Sequence, residues 1–449
     1  MRIFVFMWHL FVSRTIIGIS MEIISLVFKS VLTFLLRTAP LWGGIIVFYA
    51  FMKIWLHYIQ QKFISGITWV LLEVQIPRDI ERTPLAIEMI LSNALYQHSN
   101  KDLWSTWVDG AVTLWFSLEI VSIEGRVRFF IRTPSRLVSL VKSQIYAQYP
   151  QSRVQEIPEE ADYVYQGPYA ISPEGSWYAW GTEFGLSKPE FFPLRTYVDL
   201  GLDKPGTKEN QKVDTMSSTV EALGALGKGQ QVWLQILIRP SKKQYANVGS
   251  WFGSHDWQAE GKAFLSSLQK PYTVKKEDGS VEIKLPDLVK EEILSVSRKL
   301  DKLGFDTGIR VVALGKKGVC SQHDFDIMRR NIRLLFRQFA SQTNNTLERR
   351  KGTGLSPWQD PYGKRIFGLK TEMVQQYRDR EFFYPRLERA SAWPWPISFF
   401  TPDLRPQPFV LNTEELATIF HFPGRVSESP SIERVESRSA EPPSNLPIG

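Results

Sequence analysis

Apolar residues run almost without a break through the first sixty positions, then give way to alternating and helical patterns. From Ala39 to Tyr58 the run APLWGGIIVFYAFMKIWLHY has twenty residues and one charge, Lys53, the length needed to cross a hydrocarbon core of about 30 Å. Lys53 lies near the C-terminal end of the run, where its ammonium reaches the interface. Trp42 at one end, with Trp55 and Tyr58 at the other, is placed as in the aromatic belts of a spanning helix. Ile16 to Leu36 is apolar too but carries Glu22 and Lys29, and suits a second span or an amphipathic helix in the interface. Ser13, Arg14 and Thr15, not a small-residue cleavage site, follow the apolar run after Arg2, so the anchor is expected to be retained. With two spans, Arg2, Arg14 and Lys62 face Arg37 across the membrane, which puts both termini in the cytoplasm.

The pattern then turns to strands and helices. Trp69 to Pro77 alternates as a strand, with Val70, Leu72, Val74 and Ile76 on one side. Thr83 and Pro84 predict a helix start, with the helix running to Gln97. Leu114 to Ile123 and Arg126 to Thr133 read as a hairpin turning at Glu124 and Gly125. Thr133 and Pro134 repeat the helix-start signal, for a helix to Tyr149, and Arg153 to Ile157 is a last strand. The order β-α-β-β-α-β is that of a ferredoxin-like unit. A looser copy follows: strand Arg195 to Leu200, helix Ser217 to Leu226, strand Gln231 to Arg239, strand Gly308 to Leu314 and an amphipathic helix from Asp324 to Gln342. An insertion of about seventy residues, holding a helix from Asp287 to Leu303, separates the two middle strands.

The predicted class is therefore α+β: an anchor of one or two transmembrane helices over residues 1–62 and ferredoxin-like units over 67–160 and 161–347. A basic, aromatic and proline-rich connector covers 348–423, and residues 424–449, poor in large apolar side chains, are expected to be disordered. At 449 residues, 43% of them hydrophobic, the chain has material for two or three domains. Its single cysteine, Cys320, excludes a disulfide framework and a cysteine-rich metal module, and points to a reducing compartment. Most of the net charge of +8 sits in residues 325–390, with 14 Lys or Arg against 7 Asp or Glu. Such a block suits nucleic acid or anionic lipid, or is a solvated surface.

Candidate chemistry is sparse. The Gly-Lys pairs at Gly227, Gly315 and Gly363 lack both the leading glycine and the hydroxyl of a phosphate-binding loop. Cys320 and His323 are too few for a metal site, and no G-x-S-x-G elbow occurs. The expectation is no catalytic residue, metal or cofactor. Arg126, Arg128, Phe130 and Arg132 share one strand face, resembling the sheet face of RNA-binding folds, although the first strand offers no stacking ring beside them. Arg329, Arg333 and Arg337 recur every fourth residue opposite Met328, Ile332 and Phe336, and with Arg349, Arg350 and Lys351 they are the candidate contacts to nucleic acid or anionic lipid. In Val410 to His421, Asn412 or Thr413 can cap a short helix whose stripe of Leu416, Ile419 and Phe420 is a candidate partner-docking surface.

The stretches WVLLEVQIPRDIERTPLAIEMI, WFSLEIVSIEGRVRFFIRTP, SQIYAQYP, KLGFDTGIRVVALGKK and PFVLNTEELATIFHFPG resemble the membrane-proximal part of bacterial membrane proteins of conjugative, type IV secretion-like DNA transfer. The likeness covers roughly residues 30–449, and the stretch Pro408 to Gly424 is its most specific part. In longer relatives this region leads into a helicase-like coupling ATPase; this sequence stops at Gly449, so the resemblance implies that a motor is a separate P-loop ATPase chain. It implies a membrane-anchored, non-catalytic adaptor at the inner membrane with its bulk in the cytoplasm, holding that ATPase or DNA there, with self-association open. The other readings are a membrane-tethered nucleic-acid-binding protein without a motor partner, and an enzyme of unrecognised type.

Overall fold

A computed structural model describes residues 2–77, 82–97, 102–167, 169, 171–172, 174–202, 215–241, 245–246, 254–275, 281–283, 285–332, 334–340, 344–353, 360, 364–384 and 408–423, the side chains of 2–24, 35, 41–42, 46, 50, 215, 245–246, 254–255, 273–275, 281–283, 351–352 and 364 excepted. The expected disordered tail, 424–449, lies outside these residues. The chain forms two compact units, one of residues 1–63 with 102–111 and one of the remainder.

The first unit is helix α1 (Arg2–Ser65), which contains Pro40. A proline ring removes one helical hydrogen bond and crowds the preceding turn; the arms Ser25–Pro40 and Gly43–Ser65 meet at 53°. Among the described residues no single helix is long and apolar enough to cross a membrane, while these two arms are so only together. Large apolar side chains on both, Phe28, Phe34, Val47 and Phe48 among them, point outward.

The second unit is built on a nine-stranded sheet in which every pairing is antiparallel. Its first half comprises β1 (Trp69–Gln75), α2 (Leu85–Ile90, continued by a π turn to Leu95), β2 (Phe116–Ile123), β3 (Arg126–Pro134), α4 (Val138–Gln148) and β4 (Arg153–Ile157); α3 (Leu103–Trp107) belongs to the first unit. Glu124 and Gly125 both take positive φ (52° and 83°) in the β2–β3 turn, as a two-residue hairpin requires. The second half holds β5 (Trp177–Leu186), α5 (Thr215–Gly224) and β6 (Gln230–Pro240). After β6 come two small ribbons, β7 (Tyr245–Ala246) with β8 (Ser254–His255) and β9 (Thr273–Lys275) with β10 (Val281–Ile283), and the helices α6 (Trp257–Gln269) and α7 (Asp287–Asp301). The half closes with β11 (Gly304–Lys316), α8 (Gln322–Ile332) and β12 (Leu347–Gly352). The strand order is β12-β5-β11-β6-β2-β3-β1-β4. Beyond β12 lie α9 (Lys364–Arg378), β13 (Phe409–Asn412) and α10 (Thr413–Ile419).

β2 and β6 pair from Phe116 opposite Ile238 to Ile123 opposite Gln231, so the two halves share one continuous sheet. On one face Leu72, Leu118, Phe129, Ile236 and Val311 form a core under the helices, with Val141 of α4, Val220 of α5 and Leu416 of α10. On the other, Phe130, Trp233 and Val312 pack with Tyr163, Tyr169 and Tyr377 of α9.

Several sequence expectations are corrected. The first strand of the second half is β5, not Arg195 to Leu200; there Asp199 Oδ2 accepts from Thr196 N at 2.9 Å and holds a turn. Gly181 and Gly185 dilute the strand pattern of β5 for a steric reason. A Cβ at Gly181 would stand 2.5 Å from Met373 Cγ, and one at Gly185 2.6 Å from Arg350 Cγ. Thr133 and Pro134 are the last residues of β3, not the cap and first helical position; the helical stretch begins after Pro134 with a 3-10 turn, Ser135–Leu137, that leads into α4. The helix expected to reach Gln342 ends at Ile332.

Candidate functional site

Ionisable groups concentrate at two places inside the second unit. The first lies on the α9 side of the sheet, where Glu119, fully buried in the middle of β2, accepts from Arg380 Nε at 2.8 Å and Nη2 at 3.1 Å. Ser117 Oγ (2.6 Å), Tyr163 OH (2.7 Å) and Gln235 Nε2 (3.2 Å) also donate to it. Arg380 reaches Asp162 with Nη1 at 2.7 Å and Nη2 at 3.2 Å, so one guanidinium serves two carboxylates. Burial pushes the Glu119 pKa up, but the charge and hydrogen bonds of Arg380, with those of Ser117 and Tyr163, outweigh it and take it down to about 2. Arg132, its guanidinium 4.5 Å from the Trp69 ring, is lowered to about 9, by burial first and then by the like charge of Arg380.

After α9 the chain runs along this face as a strap. Arg310 Nη2 donates to Glu183 at 2.9 Å, and its guanidinium lies 5.7 Å from the Phe382 ring. Arg239 pairs with Asp306 at 2.9 Å under the rings of Phe383 (4.4 Å) and Tyr384 (5.2 Å). Each cation is thus both paired and covered by an aromatic face.

The second concentration joins α7 to α10. Lys299 and Glu415, neither exposed, pair at 3.0 Å, and Lys299 also donates to Val410 O and Phe192 O. Glu415 takes the backbone N–H groups of Asn412 and Leu194; burial nevertheless raises its pKa. Lys302 bridges Glu88 (2.7 Å) and Glu414 (2.9 Å), and Tyr197 and Thr413 donate to Glu88. Glu190 stands apart. Burial lifts its pKa to about 7 against the pull of Lys299, and its Oε2 has no hydrogen-bond partner.

A crevice of about 420 Å³ opens between α5 and α8, lined by Leu223, Leu226, Cys320, Met328 and Leu335 with Lys228 at its edge. Cys320 is buried at its wall and accepts from Gln230 Nε2 at 3.6 Å. Among the described residues no three His, Cys, Asp or Glu side chains converge to hold a metal ion.

The candidate contact residues fall on α8, on the turn after it and on β12. Arg329 on α8 pairs with Asp326 at 2.9 Å, Arg337 is exposed on a 3-10 turn past the helix end, and Arg333 lies outside the described residues. Arg349 and Arg350 lie on the edge strand β12, with Arg350 folded back to donate to Leu186 O; Lys351 is in the same strand, its side chain outside the described set. Phe130 cannot stack on a base, since Tyr163 covers it with ring centroids 5.2 Å apart. The docking stripe is corrected as well. Leu416, Ile419 and Phe420 are all buried, because β13 pairs with β11 and α10 wedges between α2 and α5. Asn412, not Thr413, caps that helix, in a reciprocal capping box with Glu415.

Sequence reasoning did not single out Glu119, Asp162, Arg380 or Lys299. The one signal for them is a carboxylate amid the apolar run WFSLEIVSI of β2. Compared with family models and with curated proteins, the chain matches none.

Proposed function

We propose that this protein is a membrane-anchored, non-catalytic adaptor of a conjugation or type IV secretion-like DNA-transfer machine, which positions a separate P-loop ATPase or DNA at the cytoplasmic face of the inner membrane. The observation that carries the reading is α1, whose two arms turn large apolar side chains outward along their length; in water that surface is unfavourable, in lipid it is matched. In this reading α1 is the transmembrane anchor, and the two arms enter the bilayer together.

A scaffold role is supported by how the sheet unit spends its charges. Arg380, Arg310, Arg239 and Lys299 are each neutralised inside by carboxylates, and are not aimed into a cleft. Each half of the sheet orders its strands 4-1-3-2, as β4-β1-β3-β2 and β12-β5-β11-β6, with helices on one face. That order supports reading each half as a ferredoxin-like unit, joined through their second strands. A rigid platform of this width suits presenting a partner better than a moving catalytic site.

The test is photocrosslinking in cells that are transferring DNA, from exposed positions of α7 and α8, followed by isolation of the membrane fraction. An adduct with a separate ATP-hydrolysing chain is expected, while the purified protein hydrolyses no ATP. Adducts with DNA alone would favour the tethered nucleic-acid binder, and hydrolysis by the purified chain would overturn the non-catalytic reading.

A further inference from the structure

The short helix α3 presents an apolar surface that its own unit does not cover. Leu103 is 81% exposed and Trp104 69%, with Val108 exposed on the following turn. A five-residue helix has little stability of its own, yet this one is well held. Asp102 caps it, accepting from Ser105 N at 2.8 Å. Trp55 of α1 donates its indole N–H to Trp107 O at 3.0 Å. Gly110, at φ 69°, lies so close to α1 that a Cβ there would be 2.4 Å from the Ile59 carbonyl, and Ile59 is buried. The segment therefore rides on residues 55–59 of α1 and turns Leu103 and Trp104 away from it.

We propose that α3 is a second, non-spanning contact with the membrane, which inserts Leu103 and Trp104 into the lipid interface. The proposal rests on the reading of α1 as the anchor. Three observations select lipid as the occupant. First, the attachment is at the level of Trp55 and Tyr58, exposed rings that stack along α1 with Phe51 at centroid spacings of 6.3 Å. Aromatic side chains gather at that depth in spanning helices, where a ring can be apolar at one end and wet at the other. Second, the Gly43–Ser65 arm on which α3 rides itself turns Val47, Phe48 and Phe51 outward, the apolar exposure that lipid would match. Third, the hydroxyls of α3 are already satisfied. Ser105 Oγ and Thr106 Oγ1 both donate to the Asp102 carbonyl, at 3.1 and 2.9 Å, so the helix can enter a less polar medium without stranding a donor. The contact would fix the rotation and depth of α1 where the chain leaves the membrane.

The test uses the full-length protein with Cys320→Ser, reconstituted in phosphatidylcholine vesicles, and one new cysteine at a time carrying an environment-sensitive fluorophore. The substitutions are Val47→Cys on α1, Leu103→Cys on α3 and Leu288→Cys, exposed on α7, as the background site. Lipids carry a nitroxide either just below the headgroup or near the chain end. At position 103 quenching by the shallow nitroxide should exceed that by the deep one at least twofold, and position 47 should be quenched by the deep one. A position 103 that is quenched no more than position 288, while position 47 is quenched, overturns the proposal and leaves the anchor standing. Positions 47 and 103 both at background overturn the anchor reading and the proposal with it. A blue-shifted but unquenched label at position 103 places a protein over α3 and overturns the lipid assignment.

Discussion

Arg380→Met removes the one cation that Glu119 and Asp162 share, and leaves both carboxylates inside the sheet unit. Glu119 is fully buried and Asp162 nearly so, so neither can turn to water without opening the face beneath α9. Removing one partner of a buried pair costs about 3–5 kcal/mol. Methionine fills most of the volume of the arginine stem, and the positive φ of residue 380 (50°) is as unfavourable for Met as for Arg, so neither packing nor backbone adds much to that figure. One escape lowers the cost. Without Arg380, burial dominates and Glu119 takes up a proton, at about 1.4 kcal/mol for each pH unit by which its pKa lies below the buffer. The loss should therefore be about 4 kcal/mol at neutral pH and smaller by 1 kcal/mol or more near pH 5. Urea unfolding of the full-length protein in micelles, followed by circular dichroism at the two pH values, measures it. Adding Glu119→Gln to Arg380→Met should restore at least about 1 kcal/mol, as coupled neighbours do. A loss under 1 kcal/mol at neutral pH, or one that does not change with pH, would refute the claim that this guanidinium neutralises a buried charge.

Leu416→Asp with Phe420→Asp should abolish cooperative unfolding, and not merely partner recruitment, because both side chains are fully inside and two buried charges exceed a stability of about 5–15 kcal/mol; a melting temperature within a few degrees of wild type would return the segment to the surface. Stability should peak near about pH 5, between two opposed titrations. Glu119, depressed to about 2, contributes stability that is lost as pH falls below 4.5; Glu190, raised to about 7, contributes stability that is lost as pH rises through that value. Glu119→Gln should flatten the acid limb and Glu190→Gln the neutral one in urea midpoints, and a limb unchanged by its own substitution contradicts the assignment. Gly308→Ala should cost about 1–3 kcal/mol, since a Cβ there would sit 2.5 Å from the Phe382 ring and push it off Arg310; a neutral effect would show that the strap moves freely.

The parts of the fold legible in the sequence are those where one side chain alternation or one local motif decides the structure. β1, the β2–β3 hairpin with its Glu124-Gly125 turn, and β6 follow their apolar alternation, and the Asn412 cap is local. β5 is hidden because two of its positions must be glycine to admit Met373 and Arg350, residues far away in sequence. β12, reading LERRKG, has no apolar alternation, as suits a sheet edge that discourages further pairing. α10 misleads in the other direction. Its stripe reads as a partner-docking surface, but all seven residues are buried, and Lys299 and Lys302 of the α7 region neutralise Glu415 and Glu414 inside. The ionic core under α9 is the least legible. Glu119 and Arg380 are 261 residues apart, and a lone carboxylate in an apolar strand does not name its partner.

Extraction of native membranes at alkaline pH in carbonate tests most directly whether α1 holds the chain in the bilayer. The full-length protein should stay with the membrane pellet, whereas the chain without residues 2–63 should leave it. Release of the full-length protein by carbonate would mean that the outward apolar side chains of α1 meet another protein and not lipid, which contradicts the anchor.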